Sequence, residues 1–430
     1  MKGKAILWSV VSVLILGLAA GAYWWMSRPQ VIIFSDDATL TLVKVDYGKR
    51  HAPPAAKPDA GARSAARGNS FTTPNDTLVL WVREQYDNKQ YHYFQFFLSD
   101  KAGTGCAQAG PRNWRNNGNE VVAIQFDAFP RRQGKFYVRV QEQGNGPQEM
   151  SDRKFVVSNP ARKSFTTWTA EPLPSAKEDG DLAVTLTKLV ACADMPYQRN
   201  QDVADDAANK GVQAVFHVER NGKPVSNWQP VSAETSDATG NRANGGISQN
   251  NWQDNNDTAT YQYGLWPDEP AWKLKFEFSQ QSDFADNELW KVQNIPVQPG
   301  RQQDFWNWNS INQRNGTNSV FAETDINGVH LKISPATQFT DQNFGNGQVG
   351  GGLRIQVTPS LPAGMRLTFV KLTDDQGLDV QNYNSNTSGN GNSTTYGYQL
   401  NNIAGVTNLN LTLAVHKSRF VEFTAKPEKP

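Results

Sequence analysis

The chain has 430 residues, 38% of them hydrophobic and 19% charged, with a formal net charge of +1. That length has room for about three domains, and the near-neutral balance excludes an acidic or basic tail and the clustered Lys/Arg footprint of a nucleic-acid binder. Two cysteines are too few for a disulfide scaffold, while low charge, 13 Trp and many Asn, Gln, Thr and Gly suit a β-rich extracytoplasmic protein.

In chain order, the first predicted element is a membrane segment. Lys2 and Lys4 precede an uncharged apolar run from Ile6 to Trp25, long enough as a helix to cross a hydrocarbon core of roughly 30 Å. Tyr23, Trp24, Trp25 and Arg28 follow as an interfacial belt. The basic start places the N-terminus in the cytoplasm and the body outside it. Ala20-Gly21-Ala22 has the small-x-small form of a cleavage site. The run before it is nevertheless longer than the ~7–15 residues of a signal-peptide core, so a signal-anchor over 1–30 is favoured over a cleaved signal.

Beyond residue 30 the pattern is one of short alternating runs. TLTLVKV (Thr39 to Val45), LVLWVR (Leu78 to Arg83), YHYFQFFL (Tyr91 to Leu98), FYVRVQE (Phe136 to Glu142) and KFVVSNP (Lys154 to Pro160) have the period of half-buried strands. Similar runs follow twice more, closing with WKLKFEF and WKVQNIP (Trp272 to Pro296), then LNLTLAV and FVEFTAKP (Leu409 to Pro427). Three turn-like stretches fix the spacing: SDKAG, SDATG and TDDQG place Asp100, Asp237 and Asp374 at intervals of 137 residues. At the same offset from each lie Phe129, Trp266 and Ile403, then Ile124, Tyr261 and Tyr398, then Phe126, Tyr263 and Leu400. Asp first and Gly last fit a type I turn followed by a left-handed residue, which closes a hairpin. Length variation falls in one place per repeat, at 51–68, 193–211 and 335–352. The expectation is an all-β chain: three tandem Ig-like β-sandwich modules at 31–160, 161–297 and 298–430 after one transmembrane helix. Residues 161–180 and 298–316 would be linkers or extra edge strands.

NDTATYQY (Asn256 to Tyr263) resembles the tyrosine-corner stretch of immunoglobulin-like domains through Asp257, Ala259 and Tyr261. Tyr263 stands where those domains carry a cysteine, so the resemblance implies a sandwich without its internal bridge. The layout also resembles uncharacterised bacterial envelope proteins with a single N-terminal anchor, a YG-x-x-H segment (Tyr47, Gly48, His51) and β-rich modules ending in a strand such as SRFVEFTAKP (Ser418 to Pro427). That resemblance brings no activity with it.

Catalytic motifs are missing. HExxH, CxxC, GxSxG and the P-loop do not occur. His51, His92, His217, His330 and His416 are dispersed, and the last four sit in strand patterns. Asp268 and Glu269 lie in LWPDEPAW, a hairpin loop by alignment with FPRRQGKF and NNIAGVTN, where a turn explains them better than a carboxylate pair. Asp202, Asp205 and Asp206 read as a solvated loop rather than a Ca²⁺ site. Cys106 and Cys192 fall in different modules and are either one inter-module bridge or two thiols. Trp266 aligns with core positions and Trp272 with the start of a strand, which leaves Trp252, Trp306 and Trp308 as candidates for stacking on sugar rings. No catalytic residue, metal site, cofactor or nucleic-acid partner is expected. The expected role is a non-enzymatic, single-pass envelope protein, held in the membrane by residues 6–25, that contacts an envelope protein or glycan; an anchored carbohydrate-binding protein is the alternative.

Overall fold

The computed structural model describes residues 30–34, 38–54, 70–86, 93–100, 121–143, 153–161, 164–194, 210–251, 257–261, 265–300, 320–339, 349–390, 392–401 and 403–429. Strands dominate these residues, in several largely antiparallel sheets with one short 3-10 turn at Asp286–Glu288, so the all-β expectation holds. Among the described residues no helix is long and apolar enough to cross a membrane, and the expected anchor at 6–25 lies outside them.

The first group comprises β1 (Gln30–Ile33), β2 (Ala38–His51), β3 (Phe71–Tyr86), β4 (Tyr93–Ser99), β5 (Val121–Phe126), β6 (Lys135–Gln143) and β7 (Lys154–Ser158). It makes a sheet of order β1-β2-β3-β5 and another of order β4-β6-β7. Alternation decides the faces: Leu40, Leu78, Leu80, Phe96, Ile124 and Phe136 point into a shared core. Gly48, at φ +137°, lies at a register shift in the β2–β3 ladder. Without that shift Tyr47 and His51, four residues apart, would share a face. With it, Tyr47 packs edge-on against Phe129 at 5.5 Å, while His51 turns to the opposite side against Phe71 at 5.1 Å.

The second group comprises β8 (Ser175–Asp179), β9 (Leu182–Asp194), β10 (Lys210–Arg220), β11 (Lys223–Pro224), β12 (Trp228–Asp237), β13 (Arg242–Asn251), β14 (Asp257–Tyr261) and β15 (Trp272–Gln280). β13 pairs with β12 along its first half and with β14 along its second, and so joins two sheets at one side. The third comprises β16 (Leu289–Gly300), β17 (Ala322–Ile326), β18 (Val329–Ile333), β19 (Ala336–Phe339), β20 (Gly351–Thr358), β21 (Met365–Asp374), β22 (Asn382–Asn390), β23 (Ser393–Leu400), β24 (Asn408–Lys417) and β25 (Arg419–Ala425). β8 realises one of the expected extra edge strands.

The closing strands behave differently along the chain. In the first group β7 folds back and pairs with β6, Phe136 opposite Val157. β16 does not fold back on β15. It runs into the third group and pairs with β24, Leu289 opposite Ala414. β25 returns to the second group and pairs with β15, Trp272 opposite Ala425 and Phe276 opposite Val421. The expected boundary at 297 thus falls inside a strand of the third group's sheet. The exchange has a local cause: only Ser418 separates β24 from β25, and one residue cannot close a hairpin, for which two is the usual minimum. The chain must run straight on. Val421, Phe423 and Ala425 then enter the second group's core, with the Phe423 ring 6.4 Å from both Phe216 and Phe276. Each buried Val or Phe contributes roughly 1.5–3 kcal/mol.

Candidate functional site

The two turns that the structure describes have the expected form. Gly240 N–H donates to Asp237 O at 3.1 Å with φ +90° at Gly240, and Gly377 N–H donates to Asp374 O at 3.2 Å with φ +81° at Gly377. Each aspartate closes its own turn. Asp237 Oδ1 accepts from Thr239 N–H at 2.8 Å, Thr239 Oγ1 at 2.6 Å and Asn241 N–H at 3.2 Å, and Asp374 Oδ1 accepts from the Gln376 and Leu378 N–H groups at 2.9 and 2.8 Å. The buried carboxylate of Asp237 is satisfied within its turn, which leaves it no need of a metal. Among the described residues no group of three or more His, Cys, Asp and Glu could hold a metal ion.

The turn at Asp237 also forms half of a joint with the first group. Asn241, oriented by its Nδ2 bond to Asp237 Oδ2 at 2.8 Å, accepts from Phe129 N–H at 3.1 Å and donates to Phe129 O at 2.9 Å. That two-bond clamp substitutes for one rung of a strand ladder. Beside it buried Arg131 donates to Thr239 O and Asp76 O, both at 3.0 Å. The Arg132 Nε–H is shared between Glu269 Oε1 and Oε2 at 3.1 and 2.9 Å, and its Nη2 reaches Thr166 O at 2.6 Å. Asn159 Nδ2 holds the Phe129–Gly134 loop from behind through the Arg131 and Gln133 carbonyls at 2.6 and 2.7 Å. Burial pushes the Glu269 carboxyl above its ordinary value despite Arg132, as expected for a charge drawn out of water.

The second joint lies between the second and third groups. Arg366 on β21 forks onto Glu277 on β15, Nε to Oε1 at 2.8 Å and Nη2 to Oε2 at 2.6 Å, and Ser232 Oγ donates to the same carboxylate at 2.9 Å. Burial opposes ionisation of Glu277, but these donors, Arg366 foremost, hold it down at about 2. His416 is buried beside them, its Nε2 2.8 Å from Thr368 Oγ1 and its ring 4.8 Å from Phe284; burial lowers its pKa. On the far edge of β25, Arg419 reaches Asp181 at 3.2 Å, Phe420 N–H donates to Asp179 at 2.8 Å, and Glu171 N–H donates to Thr424 O at 2.7 Å. β25 is therefore bonded on both edges and closes the side of the second group opposite β13. Next to this joint runs a shallow trough of about 370 Å³ lined by Glu234, Asn244, Gly246, Lys275, Glu277 and Phe420. Ser232 lines it too, and its hydroxyl meets Glu277 there, but Arg366 already holds both oxygens of that carboxylate.

The expected core positions are buried: Phe129, Trp266 and Ile403 are 0%, 3% and 0% exposed, and Trp272 is fully buried. Asp268 and Glu269 occupy a turn, Glu269 N–H donating to Trp266 O at 3.2 Å, and Asp268 pairs with Lys429 at 2.6 Å. His217 pairs with Glu219 at 3.0 Å and His330 with Asp325 at 3.0 Å. Trp252, Trp306, Trp308, Cys106, His92, Asp202, Asp205 and Asp206 lie outside the described residues; Cys192 lies in β9. Sequence reasoning missed Asn241, Arg131, Arg132 and the Glu277–Arg366 pair. One signal was present: Arg132 and Glu269 are opposite charges at aligned positions of two loops.

No family model and no curated protein matches the chain. Among solved structures, the crystal structure of S. aureus TarS 217-571 is similar over 55% of this chain at 9% identity, with a TM-score of 0.15. The chain spans 64% of that structure's length.

Proposed function

We propose that the chain is a non-enzymatic, membrane-anchored extracytoplasmic protein whose three tandem Ig-like β-sandwich modules present surfaces for protein or cell-envelope contact. The observation that carries this reading is where the chain places its buried polar chemistry. The buried hydrogen-bonded and ionic clusters around Asn241, Arg131, Glu269 and Glu277 hold one strand group to the next. They fix the spacing and orientation of surfaces, which is what an array for contact needs. The modular reading is supported by the matching turns at Asp237 and Asp374 and by the matching burial of Phe129, Trp266 and Ile403. The apolar run at 6–25 supports the anchor and a body outside the cytoplasm.

The test has two parts. A membrane-impermeant label should modify the β-rich body and not Lys2 or Lys4 in intact cells, and zero-length cross-linking there should yield adducts with an envelope protein. Hydrolysis of any glycan or ester substrate that is lost on changing one carboxylate would overturn the non-enzymatic reading. Glycan-array binding abolished by Trp306→Ala would move the contact from protein to carbohydrate.

A further inference from the structure

The loops that lock the first two groups together have counterparts in the third, whose tips are open among the described residues. In the first joint Phe129, Arg131, Asp237, Asn241 and Glu269 are all buried. In the third group the counterparts of Phe129 and Asp237, Ile403 and Asp374, are likewise buried, but the counterpart of Asn241, Leu378, is 63% exposed, that of Arg131, Gly405, is open to solvent, and that of Glu269, Val406, is half-buried against the group's own core. Thr407 Oγ1 donates to Asp375 Oδ2 at 2.7 Å, so the turn and the loop lie side by side.

The geometry of the first joint says what would fit this surface. Arg132 and Glu269, which bond each other, are separated by 137 residues, the same interval that separates Asp100, Asp237 and Asp374. A two-fold axis passing between two copies brings equivalent residues together in this way, as in an isologous interface. On that relation the first and second groups dock as a pseudo-dimer within one chain, and among the described residues the third group has no such counterpart.

We propose that this face of the third group binds the same face of a second copy of the chain, about a true two-fold axis. The inference rests on the repeated-module reading above and names its partner. Composition at the axis favours it. Within the chain the axial position carries Arg132 and Glu269, a pair that suits two different modules; identical charges there would repel across a true axis. In the third group the residue is Val406, which is compatible with its own copy. Where Asn241 clamps a backbone, the third group has Leu378, and the Ile403 N–H is already given to Val349 O at 3.0 Å. Leu378 would then lie against the partner's loop at the place where Asn241 hydrogen-bonds in the first joint.

The experiment is sedimentation velocity on the full chain in detergent and on the body lacking residues 1–29, over a wide concentration range. A reversible dimer is expected in both. Leu378→Asp and Val406→Arg should each abolish it, as should Val406→Glu, with thermal melts confirming that each variant folds. Mixing Val406→Arg with Val406→Glu should restore a heterodimer by recreating the Arg132–Glu269 pairing between chains. A body that stays monomeric throughout, or a dimer indifferent to all three substitutions, would overturn this inference. Either result leaves the contact role to be judged by cross-linking.

Discussion

Arg132 and Glu269, 137 residues apart in the sequence, meet across the first joint with Nε 2.9 Å from Oε2. Glu269 is 6% exposed, so its charge depends on that partner. Arg132→Ala should cost about 1.5–3 kcal/mol, the range for a hydrogen bond to a charged group. Arg132→Glu should cost more, because it sets two carboxylates together. The double change Arg132→Glu with Glu269→Arg should recover most of the loss. Guanidinium unfolding midpoints decide this, and additive costs in the double variant would show that the pair does not couple.

Phe423 is fully buried against Phe216 and Phe276, residues more than a hundred positions earlier. Phe423→Ala should cost about 3–5 kcal/mol, and the damage should appear in the second group. Hydrogen exchange is the direct measure: amides of β15, Trp272–Gln280, should lose protection, whereas those of β6 should not.

Glu277 is held at about 2, against an ordinary 4.5. A carboxyl with a depressed folded value contributes stability above its unfolded value and loses it as pH falls through the folded one. Its contribution should be intact above pH 4.5 and fade between there and about 2. Glu277→Gln should flatten the stability profile across that window. An unchanged profile would mean that the Arg366 fork does not persist in solution.

His416 gives an acid effect at higher pH. Burial lowers its pKa, with Glu288, Glu277 and Arg366 as the charged groups around it. The unfolded chain then takes up the proton first, so stability should begin to fall as pH drops below the ordinary histidine value of 6.5. His51, also lowered by burial, should add to the same slope. His416→Gln, which keeps a polar partner for Thr368, should remove one part of it and His51→Gln another, read as unfolding midpoints from pH 7.5 to about 5.

Gly351 tests the packing of the third group. A Cβ there would overlap the Ile403 side chain and the Thr337 carbonyl oxygen. Backbone cannot yield as a side-chain tip can, so Gly351→Ala should destabilise by about 1–3 kcal/mol. A wild-type melting temperature would show that the strand has room to move.

Strand identity and buried faces were legible because a period of two is a local property: Leu78, Leu80 and Val82 announce their face wherever the strand sits. Trp266 was legible as core through the spacing that aligned it with Phe129 and Ile403. Pairing partners were not. An alternating strand states which side is buried and is silent on which edge it joins, so KFVVSNP, WKVQNIP and FVEFTAKP look alike while only the first folds back. Asn241 was hidden for a similar reason, since an Asn after a turn is ordinary until the backbone it clamps is placed beside it. The single residue between LNLTLAVHK and RFVEFTA did carry the information, since no hairpin fits it.

That single residue has a consequence for biosynthesis. Trp272–Gln280 keeps a bare edge until Arg419–Ala425 has been made and threaded back, so the middle of the protein cannot mature when its own residues emerge. A product cut short just before Arg419 offers proteases an unfinished sheet edge roughly 140 residues upstream of the break. The second group's sheet is finished only by a strand made after most of the third group.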